Sequence, residues 1–189
     1  MNKLYIFDFD GTISHVDSFI SFTFYSSSFY SYISYWISVL CFIPFCSKSD
    51  LKQMFYSNFK EFYPDDFDSL CVDFYFLKLR KSIKKSFLKF NKNIDGNSKI
   101  VVVSASISNY LKPWCDEMGF DLISTELEEK DGKLTGKFST PNCNGKEKVI
   151  RINKKYNLSE YDEIHVFGNS NGDIPMLELA THKYYKFFK

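Results

Sequence analysis

Two carboxylates stand two residues apart in FDFDGT, residues 7–12, where Asp8 and Asp10 close a run of apolar residues. Side chains alternate along a strand, so extended chain would put both acids on one side and leave Phe7 and Phe9 to pack. Such a pair suits a divalent cation, or a nucleophile beside a general acid–base. Gly11 permits a tight turn and lets an anion approach the backbone. The same letters also describe a strand ending in a solvated Asp-Gly turn. VVVSAS, residues 101–106, ends a β-branched run in Ser104. A hydroxyl and free amides at a strand-to-helix junction suit an anion, and an ordinary helix N-cap would read the same way. NGKEKV, residues 144–149, puts Lys146 and Lys148 in the first turn of a helix, where cations oppose the helix dipole. They are either placed there for another purpose or simply solvated. VFGNSNGD, residues 166–173, carries Asn169 straight after Gly168 and Asp173 four positions later.

These residues need a scaffold that gathers strand ends. KLYIFDF (3–9) and KIVVV (99–103) read as buried strands, FDLISTEL (120–127) as a third and DEIHVF (162–167) as a fourth. Between them, residues 106–118 predict a helix in which Pro113 forces a kink or a second start. Residues 145–156 predict a helix with Val149, Ile150 and Ile152 inward, and 173–181 a short one. Asp131-Gly132 marks a hairpin, and KYYKF (183–187) a last edge strand. Strands alternating with helices indicate an α/β domain with a Rossmann-like parallel sheet. In such sheets ligands bind at the carboxyl ends of the strands, where all four stretches fall. Residues 13–95 break the rhythm and look helical. The expected division is a core of residues 1–12 and 96–189 with a helical cap of 13–95 inserted after the first strand.

The order of FDFDGT, VVVSAS, NGKEKV and GNSNGDIPML resembles that of the haloacid dehalogenase-like phosphatase superfamily. The resemblance covers residues 3–12 and 97–180, and the insertion by position. It is nearest to the phosphoserine phosphatase-like branch, and TELEEKDGKLTGKFSTPNCNGKEKV with the aromatic insertion also looks like the phosphatidylglycerophosphatase C-type group. The resemblance implies a Mg2+-dependent phosphomonoester phosphatase. Asp8 would be the nucleophile and Asp10 the general acid–base. Ser104 would bind a phosphoryl oxygen, and either Lys146 or Lys148 would neutralise charge. The Mg2+ ligands would be the Asp8 carboxylate, the Asp10 main-chain carbonyl and Asn169, with Asp173 through water or behind them. Asn169 departs from the usual acid, which implies weaker metal affinity, or at the extreme a binding protein on a retired scaffold. Asp17 falls near the place where phosphoserine phosphatases carry a glutamate.

The 189 residues suffice for one domain with a core and an insertion. Twenty-four basic and 23 acidic side chains leave a net charge of +1, which gives no electrostatic case for nucleic acid. Five scattered cysteines (41, 46, 71, 115 and 143) lack metal spacing and read as reduced thiols of a cytoplasmic protein. The apolar run at the first strand is too short for a signal peptide.

From Ser18 to Ser47 no residue is charged, long enough to cross a bilayer. A single crossing would part Asp8 from Ser104 and Asp173, so a span is rejected. Ser27, Ser31, Ser34 and Ser38 recur at helical spacing, as a close-packing stripe or as part of an interfacial helix rich in Tyr and Trp. LKLRKSIKKSFLKFNKN (77–93) then carries seven basic residues and no acid, either a solvated helix face or a contact for anionic lipid. The expected substrate is therefore a lipid-linked or membrane-proximal phosphate, handled by a peripheral protein on the inner face of the membrane. The alternative is a soluble, phosphoserine-like metabolite.

Overall fold

The computed structural model describes residues 2–42 and 47–189, without the side chains of residues 29, 30, 32, 38 and 40–42. Strand β1 (Lys3–Phe7) is followed by five helices: α1 (Ser18–Ser26), α2 (Phe29–Phe42), α3 (Lys48–Tyr56), α4 (Pro64–Leu77) and α5 (Lys85–Asn91). The α/β part resumes with β2 (Lys99–Ile107), α6 (Ser108–Met118) and β3 (Asp121–Thr125). A hairpin of β4 (Leu127–Lys130) and β5 (Lys133–Phe138) comes next. Then follow α7 (Lys146–Lys155), β6 (Glu163–Gly168), α8 (Ile174–Leu177) and β7 (His182–Tyr185).

Five strands form one parallel sheet in the order β3-β2-β1-β6-β7. Chain order reverses on either side of β1, so the carboxyl ends of β2, β1 and β6 border one crevice. Period-two alternation divides β1 between two cores. Leu4 and Ile6 join Val101, Val103 and Val166 beneath Ile152 of α7 and Met176 of α8. Tyr5 and Phe7 face the other way, into a cluster that runs through Phe87 of α5 and Trp114 of α6 to Phe22 and Phe55 of the inserted helices. The sheet and the insertion thus share one apolar interior.

Several local expectations need correction. Strand β1 ends at Phe7, and Phe9–Ile13 form an irregular turn in which Gly11 has φ +76°. Asp8 and Asp10 are therefore neighbours in a loop, not on a strand face. Strand β2 runs to Ile107, so Ser104 and Ser106 belong to the strand end, and α6 starts at Ser108. Pro113 sits inside one continuous α6, which forgoes a single backbone hydrogen bond. Ile150 is 59% exposed while Ile152 is fully buried. Ser27 lies in the link between α1 and α2. Ser31 and Ser34 are exposed and line a groove of about 940 Å3 floored by Tyr35, Phe55 and Phe59, so they do not form a packing stripe. The side chain of Ser38, and the thiols of Cys41 and Cys46, fall outside the described residues. Cys71, Cys115 and Cys143 are buried free thiols. Among the described residues no helix is long and apolar enough to cross a membrane.

In the basic run, Phe87 and Phe90 pack against Phe7 and Phe167 of the sheet while most of the cations point outward. Lys84 is the exception. It is buried and donates to the Gly11 carbonyl at 2.6 Å and the Phe188 carbonyl at 3.1 Å, tying the turn after Asp10 to the chain beyond β7.

Candidate active site

Asp8 is the first residue past β1, its amide hydrogen-bonded to Phe167 O at 2.9 Å. Its carboxylate is buried, and both oxygens are engaged. Oδ1 accepts from Lys148 Nζ at 2.7 Å and Oδ2 from Thr12 Oγ1 at 3.0 Å. Lys148 reaches in from the first turn of α7 and spends all three protons. Besides Asp8 it donates to Asp173 Oδ1 at 2.7 Å and to Val103 O at 2.9 Å. Lys146, two residues earlier and therefore on a different side of the helix, is exposed and does not line the cavity. Asp173 Oδ2 accepts from Asn169 N at 3.1 Å, Ser170 N at 2.9 Å and Ser170 Oγ at 2.7 Å. Oδ2 is thus held from within the loop after β6, which it organises, while Oδ1 is held by Lys148.

Asp10 is gripped from two directions. Ser18 N, at the start of α1, donates to Oδ1 at 2.7 Å, and Ser106 Oγ, at the end of β2, donates to Oδ2 at 2.6 Å. The hydroxyls of Ser18 and Ser106 are themselves 2.9 Å apart. Ser104 is fully buried. Its Oγ accepts from Ser106 N at 3.1 Å, which leaves its own proton available, while Ala105 is the residue that lines the cavity. Gly11 and Asn169 bring two loops together. A Cβ on Gly11 would stand 2.0 Å from Asn169 Nδ2, so only glycine admits this approach.

The cavity beside these groups measures about 350 Å3. Asp8, Asp10, Gly11, Lys148, Asn169 and Asp173 form one wall, and His15, Val16, Asp17, Lys48 and Lys52 of the inserted segment form another. The larger groove beside α2 contains no carboxylate, lysine or histidine and is not a site for this chemistry. Lys52 donates to Ala105 O at 2.9 Å and so links α3 to the end of β2.

Burial sets the electrostatics. It raises the Asp8 carboxyl to about 6, against the pull of Lys148. Asp10 is raised too, by burial first and then by the charge of Asp17, with the bonds from Ser106 and Ser18 opposing. For Asp173 burial works upward, but Lys148 and Ser170 outweigh it and the carboxyl is lowered. Burial pushes Lys148 down, but Asp8 and Asp173 prevail and hold it above its ordinary value. Lys52 is lowered by burial, opposed by Asp10 and Asp17. The arrangement offers a carboxylate fixed by a cation, a second carboxyl inclined to keep its proton, and room for a small anion between them.

Thr12, Ser18, Ser106 and Lys52 were not singled out from sequence. Thr12 and Ser106 stand inside the stretches that were. Ser18 and Lys52 carry no local signal, because only the fold of the insertion brings them in.

Part of the chain, 94 residues, is 34% identical to Protein CicA of Caulobacter vibrioides, a match spanning 49% of this chain and 42% of that protein. The chain thus covers less than half the length of the curated relatives it matches. A protein of unknown function from Bordetella pertussis shares the fold with a TM-score of 0.86 at 18% identity, over 96% of this chain and 88% of the other. A substrate-bound phosphoserine phosphatase shares it with a TM-score of 0.69 at 16% identity, over 98% and 86%. The model of the haloacid dehalogenase-like hydrolases matches residues 5–178, nearly the whole α/β scaffold and all four stretches of the site, and the chain belongs to that family.

Proposed function

We propose that this chain is a Mg2+-dependent phosphomonoester phosphatase working through an aspartyl-phosphate on Asp8, with residues 13–95 as a cap over the site. The observation that carries the reading is the pairing of Asp8 with Lys148 and Asp173 while Asp10 stands hydrogen-bonded on the same cavity wall. Asp8, Asp10 and Asn169 line the same cavity, and the groups that would hold the ion are all oxygens: the Asp8 carboxylate, the Asp10 main-chain carbonyl and the Asn169 amide oxygen. An all-oxygen set with room for water suits a hard divalent cation and fits Mg2+. When bound, Mg2+ supplies positive charge to the phosphoryl oxygens.

The chain's own groups do the rest. An oxygen of Asp8 attacks phosphorus, and the bond to the leaving alcohol oxygen breaks as Asp10 gives that oxygen a proton. Asp10 then takes a proton from water, whose oxygen attacks the acyl phosphate and frees inorganic phosphate and the Asp8 carboxylate. Lys148 keeps Asp8 aimed and offsets charge that builds on the phosphoryl group. The phosphoryl-binding role of Ser104 rests on the resemblance, since the residue is fully buried and Ala105 lines the cavity.

For the substrate, the favoured reading is a lipid-linked or membrane-proximal phosphomonoester. Val16 lines the cavity and is 40% exposed, and Ile20 and Phe24, one helical turn apart on α1, are 43% and 59% exposed. Exposed apolar side chains on α1 thus follow Val16 in sequence and support an apolar substrate. The second reading, a soluble metabolite, draws on the fold shared with phosphoserine phosphatase. The test is phosphate release with Mg2+ from an aryl phosphate, phosphorylated metabolites and phospholipid monoesters, with and without detergent. We expect turnover that a chelator abolishes and that Asp8→Asn reduces to background. Turnover retained by Asp8→Asn would overturn the mechanism, and none on any substrate would leave a binding protein on a retired scaffold.

A further inference from the structure

A second set of metal-ligating side chains converges at the edge of the sheet away from Asp8. Glu163 and His165 point from β6, and His182 opens β7 directly opposite His165 in the parallel register. One ligand atom from each of the three lies within 4.8 Å of the others. Glu163 pairs with Lys3 at the amino end of the strands. Asp8 follows the carboxyl end of β1, five residues on, which at the rise of a strand is about 16 Å away.

We propose that Glu163, His165 and His182 bind a borderline divalent transition-metal ion, with Zn2+ the best fit. Two imidazoles and one carboxylate, open to solvent on the remaining side, match the ligand types this ion takes, whereas Mg2+ selects oxygen. His165 is already oriented for the task. Its ring is sandwiched between Tyr5, 4.5 Å away at 7°, and His182, 4.6 Å away at 14°. Its Nδ1 meets Tyr184 Oη at 3.3 Å and its Nε2 meets Glu163 Oε2 at 2.8 Å. The tyrosine thereby fixes which nitrogen faces the carboxylate, as outer partners of metal-bound histidines do.

The His165 Nε2–Glu163 Oε2 hydrogen bond at 2.8 Å has to release its proton and open around the ion, and two side chains have to move. Lys3 Nζ holds Glu163 Oε2 at 2.8 Å and has to give way to the ion; its side chain is 28% exposed and can turn to water. Parallel rings present their nitrogens side by side, so His182 has to swing out of the stack to aim its lone pair. It is exposed on an edge strand and free to do so. The ion would join β7 to β6 and, through Lys186 N on Gly168 O at 2.8 Å, brace the chain beside Asn169.

This site is independent of the phosphatase reading, and its test does not depend on turnover. Zn2+ would be titrated calorimetrically into the full chain under saturating Mg2+ and a non-chelating reductant, alongside His182→Ala and Glu163→Gln. We expect one ion per chain at micromolar Kd, at least tenfold weaker binding in each variant, and a Zn2+-dependent rise in Tm that His182→Ala loses. Circular dichroism of the variants without Zn2+ should match the parent. Absence of micromolar binding in the parent, or parent-like binding in both variants, would overturn the site, the second result by assigning the ion to Asp8 or to thiols.

Discussion

In the proposed mechanism Asn169 would set how much charge the divalent cation meets. It adjoins Gly11 in the loop after β6, and its amide oxygen can ligate but brings no charge. Asn169→Asp should lower the Mg2+ concentration for half-maximal phosphate release; an unchanged requirement would remove Asn169 from the ligand set. Asp8 makes a different statement, about stability. Its folded carboxyl sits at about 6, above an unfolded value near 3.8, because burial outweighs Lys148. A raised acid favours folding fully below the unfolded value, and that contribution is lost as pH rises through about 6. At pH 8 the ionised carboxylate therefore costs stability on the order of 3 kcal/mol. Asp8→Asn should melt several degrees above the parent at pH 8 in chelator, with the gain shrinking toward pH 4. An equal melting temperature at pH 8 would mean that the Lys148 pairing cancels the burial cost. At this scale much of the site was legible, because each chemical residue lies in a short stretch with its own turn chemistry. The choice between Lys146 and Lys148 was not, since two lysines in one helical turn differ only in the direction they face. Nor were Ser18 and Lys52, which sit in an insertion whose path no local pattern records.

Hairpin β4–β5 joins the two parts of the chain. Glu61 N donates to Leu134 O and Leu134 N to Phe62 O, both at 2.9 Å, so the segment after α3 pairs with β5. Phe138 N donates to Gln53 Oε1 at 3.1 Å, which anchors α3, the helix that carries Lys48 and Lys52 into the cavity wall. Gly136 lies at this junction with φ +77°, and a Cβ there would stand 2.7 Å from Ser57 Cα and 3.0 Å from Tyr56 O. Backbone cannot yield cheaply, so Gly136→Ala should destabilise on the order of 1–3 kcal/mol. That is a fall in Tm of roughly 2–12 °C for a chain of this size; an unchanged Tm would show that the hairpin does not hold α3. The hairpin itself was readable, since Asp131 and Gly132 both take positive φ as a two-residue turn demands. The parallel strands were readable from their β-branched runs. The break between α1 and α2 was not, because Ser27 and Ser28 punctuate the chain without glycine or proline. The continuity of α6 through Pro113 was hidden as well, since packing of Tyr110, Leu111, Trp114 and Cys115 holds the helix together against its own sequence.

On the scale of the molecule, most of the aromatic excess goes into one interior. Phe22 is fully buried among Phe55, Tyr56, Phe59, Phe67 and Phe74 of the insertion and Tyr110 of α6. The aromatic insertion is therefore in large part a core, although several of its apolar side chains stay exposed. Val16 lines the cavity, and Val16, Ile20 and Phe24 are 40%, 43% and 59% exposed. Each would contribute about 1.5–3 kcal/mol if fully buried in an apolar phase, and a lysine or arginine close to an anionic surface adds roughly 1 kcal/mol. Lys78, Arg80, Lys81, Lys85, Lys89 and Lys92 are exposed, although Arg80 already pairs with Glu117 at 2.7 Å. Three side chains and a handful of cations suffice for reversible binding and fall well short of insertion. The protein should thus pellet with anionic vesicles at low salt and less at high salt. Ile20→Ser and Phe24→Ser together should weaken pelleting at either salt while leaving turnover of an aryl phosphate unchanged. If the parent stays in the supernatant at both salts, these side chains meet no membrane, and the phosphate taken into the cavity belongs to a soluble metabolite.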